Sequence, residues 1–156
     1  MRTILKLHRS LVAQFPEPVT SAEITTFKSA DAEEWLALNN KIFIAHPDQG
    51  DWVMQDLTNR MKESWFDADG FFLARDKGEI IGFCWTKIHH DRVNEGPIGE
   101  IYVIGVNPST HSSGLGKALM LTALRYFQAK EIKESMLYVD ADNHAALILY
   151  KKLGFN

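Results

Sequence analysis

Gly99-Glu100-Ile101-Tyr102-Val103-Ile104-Gly105-Val106-Asn107-Pro108-Ser109-Thr110-His111-Ser112-Ser113-Gly114-Leu115-Gly116-Lys117-Ala118-Leu119 changes period in its middle. Up to Val106 it reads as a strand rich in β-branched and aromatic residues, and Asn107-Pro108 ends it. Ser109 to Ser113 is a small polar loop. From Gly114 onward the apolar positions Leu115, Leu119, Leu121, Leu124 and Phe127 have helical spacing. Strand, loop and helix in that order set an α/β pattern, and the flanks repeat it. Downstream, Met136–Val139 reads as a strand and Asn143–Leu153 as a helix with Ala146, Ile148, Leu149 and Leu153 on its apolar positions. Upstream, Phe71–Ala74 and Ile80–Ile88 read as strands joined by a hairpin at Asp76-Lys77-Gly78. Ile24–Phe27 reads as a first strand. Two helices follow it. The first starts at Asp31 with Glu34 three residues on and carries Trp35, Leu38 and Ile42; the second runs from about Trp52 to Lys62 with Val53, Leu57 and Met61. The expected class is α/β (α+β), with helices over a mixed sheet.

The chain has 156 residues and a formal charge of −3, with 46 % apolar and 24 % charged residues. That is ordinary for a folded domain of common size. The slight acidic balance argues against a strongly electrostatic nucleic-acid binder. No run approaches the ~18 apolar residues of a membrane span. The single cysteine, Cys84, has no internal disulfide partner, which fits a reducing compartment. Residues 1–20 read as an appendage: Thr3–Leu7 has strand character, and Pro16 and Pro18 read as linker chemistry.

The loop from Val106 to Leu119 carries the first chemical signal. Free N–H groups at a helix start converge on one spot made positive by the helix dipole, and glycines at 114 and 116 allow a ligand to approach. Such a nest suits a pyrophosphate. A plain Ser/Gly-rich helix start is an equally open reading. The segment is neither a Walker loop nor G-x-G-x-x-G.

Two motifs together narrow the choice. His111-Ser112-Ser113-Gly114-Leu115-Gly116 is followed about 30 residues later by Asn143, Tyr150 and Gly154-Phe155. This resembles the GNAT acyltransferase superfamily, with one departure: His111 stands where Gln or Arg is usual, so altered affinity rather than lost binding is expected. Within the superfamily, His46-Pro47-Asp48-Gln49-Gly50, Gly82–His89, Gly99–Pro108 and Leu137–Asn143 are similar to the C-terminal catalytic domain of the mycothiol synthase family. The likeness runs from about residue 22 to the end.

The resemblance implies a GNAT fold: a mixed, mainly antiparallel sheet split in a V and flanked by helices, here with its final strand missing and an unpaired edge beside the site. It implies that 21–156 is the acetyltransferase domain and that 1–20 is a linker or the tail of a missing N-terminal domain. The expected partners are a small-molecule amine and that missing domain or another chain, with no nucleic acid or membrane. A cytoplasmic, actinobacterial enzyme is implied. Acetyl-CoA would serve as co-substrate, acetylating the cysteinyl amine of cysteinyl-glucosaminyl-inositol by direct attack without a metal.

The same resemblance distributes roles. It assigns acetyl-CoA to Ile104-Gly105-Val106, to His111-Ser112-Ser113-Gly114-Leu115-Gly116-Lys117 and to Asn143-His144-Ala145-Ala146-Leu147-Ile148. A strand N–H near Ile104 to Val106 would meet the thioester oxygen, with Gly105 permitting a bulge that frees it. Glu100, on one strand face with Tyr102, would be the general base, and Tyr150 the general acid for the leaving thiolate. Asp48, Lys87, Glu100 and Tyr138 would contact the acceptor. Each has a plainer reading: a solvated strand carboxylate for Glu100, an amphipathic surface for Tyr150, exposed loop or strand-end charge for Asp48 and Lys87. His89-His90 lacks a further ligand at metal spacing and reads as loop histidine. Cys84 and the four tryptophans read as core. Acetylation of another small amine or of a protein N-terminus, or acyl-CoA binding without turnover, are the rival functions.

Overall fold

A computed structural model of the chain describes residues 2–110 and 114–156. Along the chain run β1 (Ile4–Ser10), β2 (Glu23–Thr26), α1 (Ala32–Ile42), α2 (Met54–Met61), β3 (Phe71–Asp76), β4 (Glu79–His89), β5 (Ile98–Val106), α3 (Leu115–Ala129), β6 (Glu134–Asp140) and α4 (His144–Lys152). The described residues form a six-stranded sheet in the order β1-β6-β5-β4-β3-β2. Neighbours are antiparallel except β5 and β6, which are parallel.

The β3–β4 hairpin turns at Lys77 and Gly78, both with positive φ (51° and 84°). Two consecutive left-handed residues are what a two-residue hairpin turn of the right twist needs. The start of α1 differs from the expected capping box. Asp31 accepts from the Lys28 N–H and pairs with Arg75 at 2.5 Å, while Glu34 turns away to accept from the Ile80 N–H at 2.9 Å. Tertiary partners on the β3–β4 hairpin took both carboxylates.

Alternation along the strands feeds two cores. Cys84, Ile101, Leu137 and Val139 face α3 and α4, whose Leu119, Leu124, Phe127 and Tyr150 pack on them. Phe83, Trp85 and Val103 face α1 and α2. There Trp35, Trp52, Phe71, Phe83 and Trp85 form an aromatic cluster; Trp35 meets Trp85 edge-on at 5.5 Å and Phe71 stacks on Trp85 at 4.4 Å. Cys84 is a free, buried thiol, and burial pushes its ionisation far up.

β1 lies in the stretch read from sequence as linker or tail. In the structure it pairs with β6 through seven residues, from Ile4↔Asp140 to Ser10↔Glu134. Leu11 and Phe15 then enter the core, and Gln128 donates to the carbonyls of Leu11 and Ala13. The unpaired β6 edge expected from a missing final strand is therefore covered by β1. On its other side β1 meets the last residue: His8 and Asn156 exchange both backbone hydrogen bonds, at 2.8 and 3.0 Å. No helix among the described residues is long and apolar enough to cross a membrane.

Candidate active site

β5 and β6 stay paired over only Gly99↔Ser135, Glu100↔Met136 and Ile101↔Leu137. The cause of the separation lies on β5. Its register against β4 passes from Thr86↔Ile101 to Trp85↔Val103, which leaves Tyr102 as an extra residue. Such a bulge bends its strand and adds twist, turning the C-terminal half of β5 away from β6. The resulting V holds a cleft of about 240 Å³ between Ile101–Ile104 and Leu137–Asp140, bounded also by Phe43, His46, Asn143 and Tyr150. It joins a wider opening of about 870 Å³ beside Pro47 and His144.

The bulge is thus at Tyr102, not at Gly105 as the sequence suggested. Gly105 pairs regularly with Phe83. A Cβ there would stand 3.1 Å from two Ile42 side-chain atoms, so this glycine admits α1 against the sheet.

Pairing also decides which N–H groups face the cleft. The Asn107 N–H donates to the Ile81 carbonyl at 2.8 Å. Hydrogen-bonded and open pairs alternate in antiparallel sheets, so Gly105 is engaged with Phe83, while Ile104 and Val106 direct their N–H groups away from β4. That is the side on which β6 has parted, so both groups are available to a ligand entering the V.

Tyr150 lines this cleft and is only 7 % exposed. Burial, with a smaller contribution from nearby Cys84, pushes its phenol well above the ordinary value, so it stays protonated at neutral pH. Its place is fixed by the end of α4. Gly154 adopts φ 88°, Gly154 N–H donates to Lys151 O and Phe155 N–H to Tyr150 O, both at 3.0 Å. This is a Schellman stop, and it explains why Gly-Phe follows the tyrosine. At the other end Asn143 caps α4: its Oδ1 accepts from the Ala146 N–H at 3.2 Å, leaving its Nδ2 donor group for the cleft. His144, Ala145 and Ile148 are exposed on the first turns of α4, whereas Ala146 and Leu147 pack partly on the core.

α3 also begins at the C-terminal end of a parallel strand, as α4 does. Gly114 precedes it with φ 81° and open space around the position of a Cβ. Leu115 is buried, so it offers a ligand its backbone alone; Lys117 is exposed. Gly116 lets α3 approach α4, since a Cβ there would lie 3.3 Å from Leu149. His111, Ser112 and Ser113, expected in the same nest, lie outside the described residues.

The acceptor candidates fall into two groups. Tyr138 is 54 % exposed and lines the cleft. Asp48 is exposed at its rim, held at 2.7 Å by Arg2, which also binds Asp140 at 2.6 Å. Lys87 and Glu100 are Cα partners on the face of the bulge residue Tyr102. The Lys87 Nζ sits 4.7 Å from the Trp65 ring centroid and 5.6 Å from that of Tyr102. Glu100 is buried (7 % exposed), and its Oε1 is 2.7 Å from His89 Nε2. Tyr102 belongs to both groups and connects them. The sequence offers no role for Arg2, reads Trp65 as core and His89 as loop, and marks His46 only as part of the family-like stretch His46-Pro47-Asp48-Gln49-Gly50. Only the strand register brings His89 to Glu100, and only the β1–β6 pairing brings Arg2 to Asp140.

Residues 13–155 match the sequence model of the acetyltransferase (GNAT) family. The chain is 45 % identical over 168 residues to a mycothiol acetyltransferase of Acidothermus cellulolyticus, covering 99 % of this chain and 51 % of that protein. It is 47 % identical over 159 residues to one of Salinispora tropica, covering 99 % and 52 %. The chain spans about half the length of the curated relatives it matches. A GCN5-related N-acetyltransferase from Sphaerobacter thermophilus has the same fold, with TM-score 0.77, 21 % identity, and 99 % of this chain against 48 % of that one.

Proposed function

Because the chain belongs to the acetyltransferase (GNAT) family, we propose that it moves acetyl from acetyl-CoA to a primary amine, and that this amine is the cysteinyl nitrogen of cysteinyl-glucosaminyl-inositol. The observation that carries acetyl transfer is the V between β5 and β6, with the N–H groups of Ile104 and Val106 turned into it and Tyr150 on its wall. The choice of acceptor rests on the mycothiol acetyltransferase names of relatives that match 99 % of this chain. The other half of those relatives supplies the proposed partner: a preceding domain or another chain. A reducing, cytoplasmic setting suits both the thiol product and the free Cys84.

In this reading the pantetheine arm lies along the splayed half of β5 and pairs with it as an added strand would. The pyrophosphate rests at the start of α3, on the free N–H groups around Gly114–Lys117. Asn143 donates to the arm from the start of α4. The acceptor nitrogen attacks the thioester carbon, forming a C–N bond, and the carbonyl oxygen gains charge that the Ile104 N–H meets. Glu100 takes the amine proton, directly or through one water. The C–S bond then breaks, and Tyr150 gives its proton to the departing sulfur. The burial that holds the phenol protonated also disfavours a free thiolate beside it, so the transfer of that proton to sulfur is matched. Lys87, Tyr138 and Asp48 offer the hydroxyl-rich acceptor donors and acceptors from two sides.

A survey of amines with acetyl-CoA, read by thiol release, tests the reading. Turnover fastest with the cysteinyl pseudodisaccharide supports it; turnover with peptide N-termini or simple amines alone refutes the acceptor, and coenzyme binding without any turnover refutes the transfer.

A further inference from the structure

We propose that His89 is a positioning residue for Glu100. The inference rests on the reading of Glu100 as the base. β4 and β5 pair Lys87 with Glu100 and His89 with Ile98, so His89 reaches Glu100 on the diagonal across one sheet face. Its Nε2 is 2.7 Å from Glu100 Oε1, and this is the one side-chain partner of Glu100 among the described residues. The Glu100 side chain is 10 % exposed and that of His89 25 %. A carboxylate so withdrawn from water needs a hydrogen-bond donor, and His89 in its Nε2–H form supplies it. One oxygen is thereby fixed, and Oε2 is left as the free basic atom. The His89 ring is more exposed than the carboxylate it holds, so it supports a buried base from the solvent side.

Among the described residues, no other group packed around Glu100 is placed to do this. Lys87, opposite it on β4, has its ammonium over the Trp65 and Tyr102 rings. Tyr102, two residues along β5, has its hydroxyl 3.5 Å from Arg60 Nε of α2. β6 presents Met136 as the Cα partner of Glu100, and α3 presents Phe127 against the adjoining Gly99; neither ionises. His89 also stands at the last position of β4 and is partly exposed.

Four variants and two measurements test the proposal. His89→Ala should lower kcat roughly 10- to 100-fold, the scale of a misplaced reacting group, with KM for acetyl-CoA unchanged. The acidic limb of its kcat/KM profile should move to higher pH, because the carboxylate loses a donor that favours its charged form. His89→Gln retains an N–H donor of similar reach and should keep most of the activity and the wild-type limb. In a Glu100→Gln background, His89→Ala should add nothing. Equal losses in His89→Ala and His89→Gln, an unmoved limb, or losses that multiply with Glu100→Gln would overturn the proposal. Titration of the Glu100 carboxyl by 13C NMR reads the contact without turnover. A curve displaced in His89→Ala and restored in His89→Gln supports positioning; coincident curves in all three proteins overturn it. Full activity in Glu100→Gln alone would instead remove Glu100 as base, a failure separate from that of the contact.

Discussion

The Phe155 N–H donates to the Tyr150 carbonyl at 3.0 Å while the two rings meet at 6.4 Å and 64°, so the residue that ends α4 also anchors the tyrosine of the cleft. Gly154 makes this possible. Its φ of 88° is left-handed, and a Cβ there would also press on the Arg9 guanidinium. Gly154→Ala should cost about 1–2 kcal/mol, the penalty of a left-handed residue with a side chain. Thermal unfolding checks this; an unchanged midpoint would mean that the turn relaxes freely.

Tyr150→Phe keeps the ring against Phe155 and removes the phenol. Turnover should fall by about 10²-fold or more, the usual contribution of a positioned acid, while the affinity for acetyl-CoA stays within twofold. Calorimetry and steady-state kinetics on the same preparations separate the two. Equal turnover would remove Tyr150 from the chemistry.

The same phenol links stability to pH. Its ionisation lies higher in the folded chain than in the unfolded one, where it is near 10. The folded state therefore holds this proton longer. The stability it contributes is complete below about pH 10 and declines as pH rises toward the folded value. Tyr150→Phe should flatten the alkaline fall by up to about 1.4 kcal/mol per pH unit. Denaturant unfolding at a series of pH values above 9 measures it. Cys84, whose thiol is raised the same way, should leave a residual slope in the variant.

Much of this architecture is readable from periodicity. The helices at 115–129 and 144–152 and the strands around the Lys77-Gly78 turn follow from local spacing. Three features were not legible, because each depends on partners remote in sequence. The bulge falls on Tyr102, while Gly105, the expected site, is small for the sake of Ile42, 63 residues earlier. β1 has strand character, but its partner β6 begins 130 residues after it, at Glu134. His89 reads as loop until the register sets it beside Glu100. On the site itself, Asn143 and Tyr150 stand out through the resemblance to the GNAT superfamily, and the seven-residue step from one to the other sets both on the cleft side of α4.

Gly114 separates two reasons for a glycine. Open space surrounds its missing side chain, yet its φ is 81°. Gly114→Val should destabilise the chain by about 1–2 kcal/mol through that backbone alone. It should also weaken CoA binding by turning aside the N–H groups of α3. Calorimetric titration with CoA below the melting temperature checks the second effect. Unaltered affinity would move the pyrophosphate away from this helix.

The most direct measurement is a crystal structure of the chain with acetyl-CoA. The account predicts the pantetheine arm between β5 and β6, hydrogen-bonded to the Ile104 or Val106 N–H, with sulfur next to the Tyr150 hydroxyl. Coenzyme bound outside the V, or with its sulfur remote from Tyr150, would contradict it.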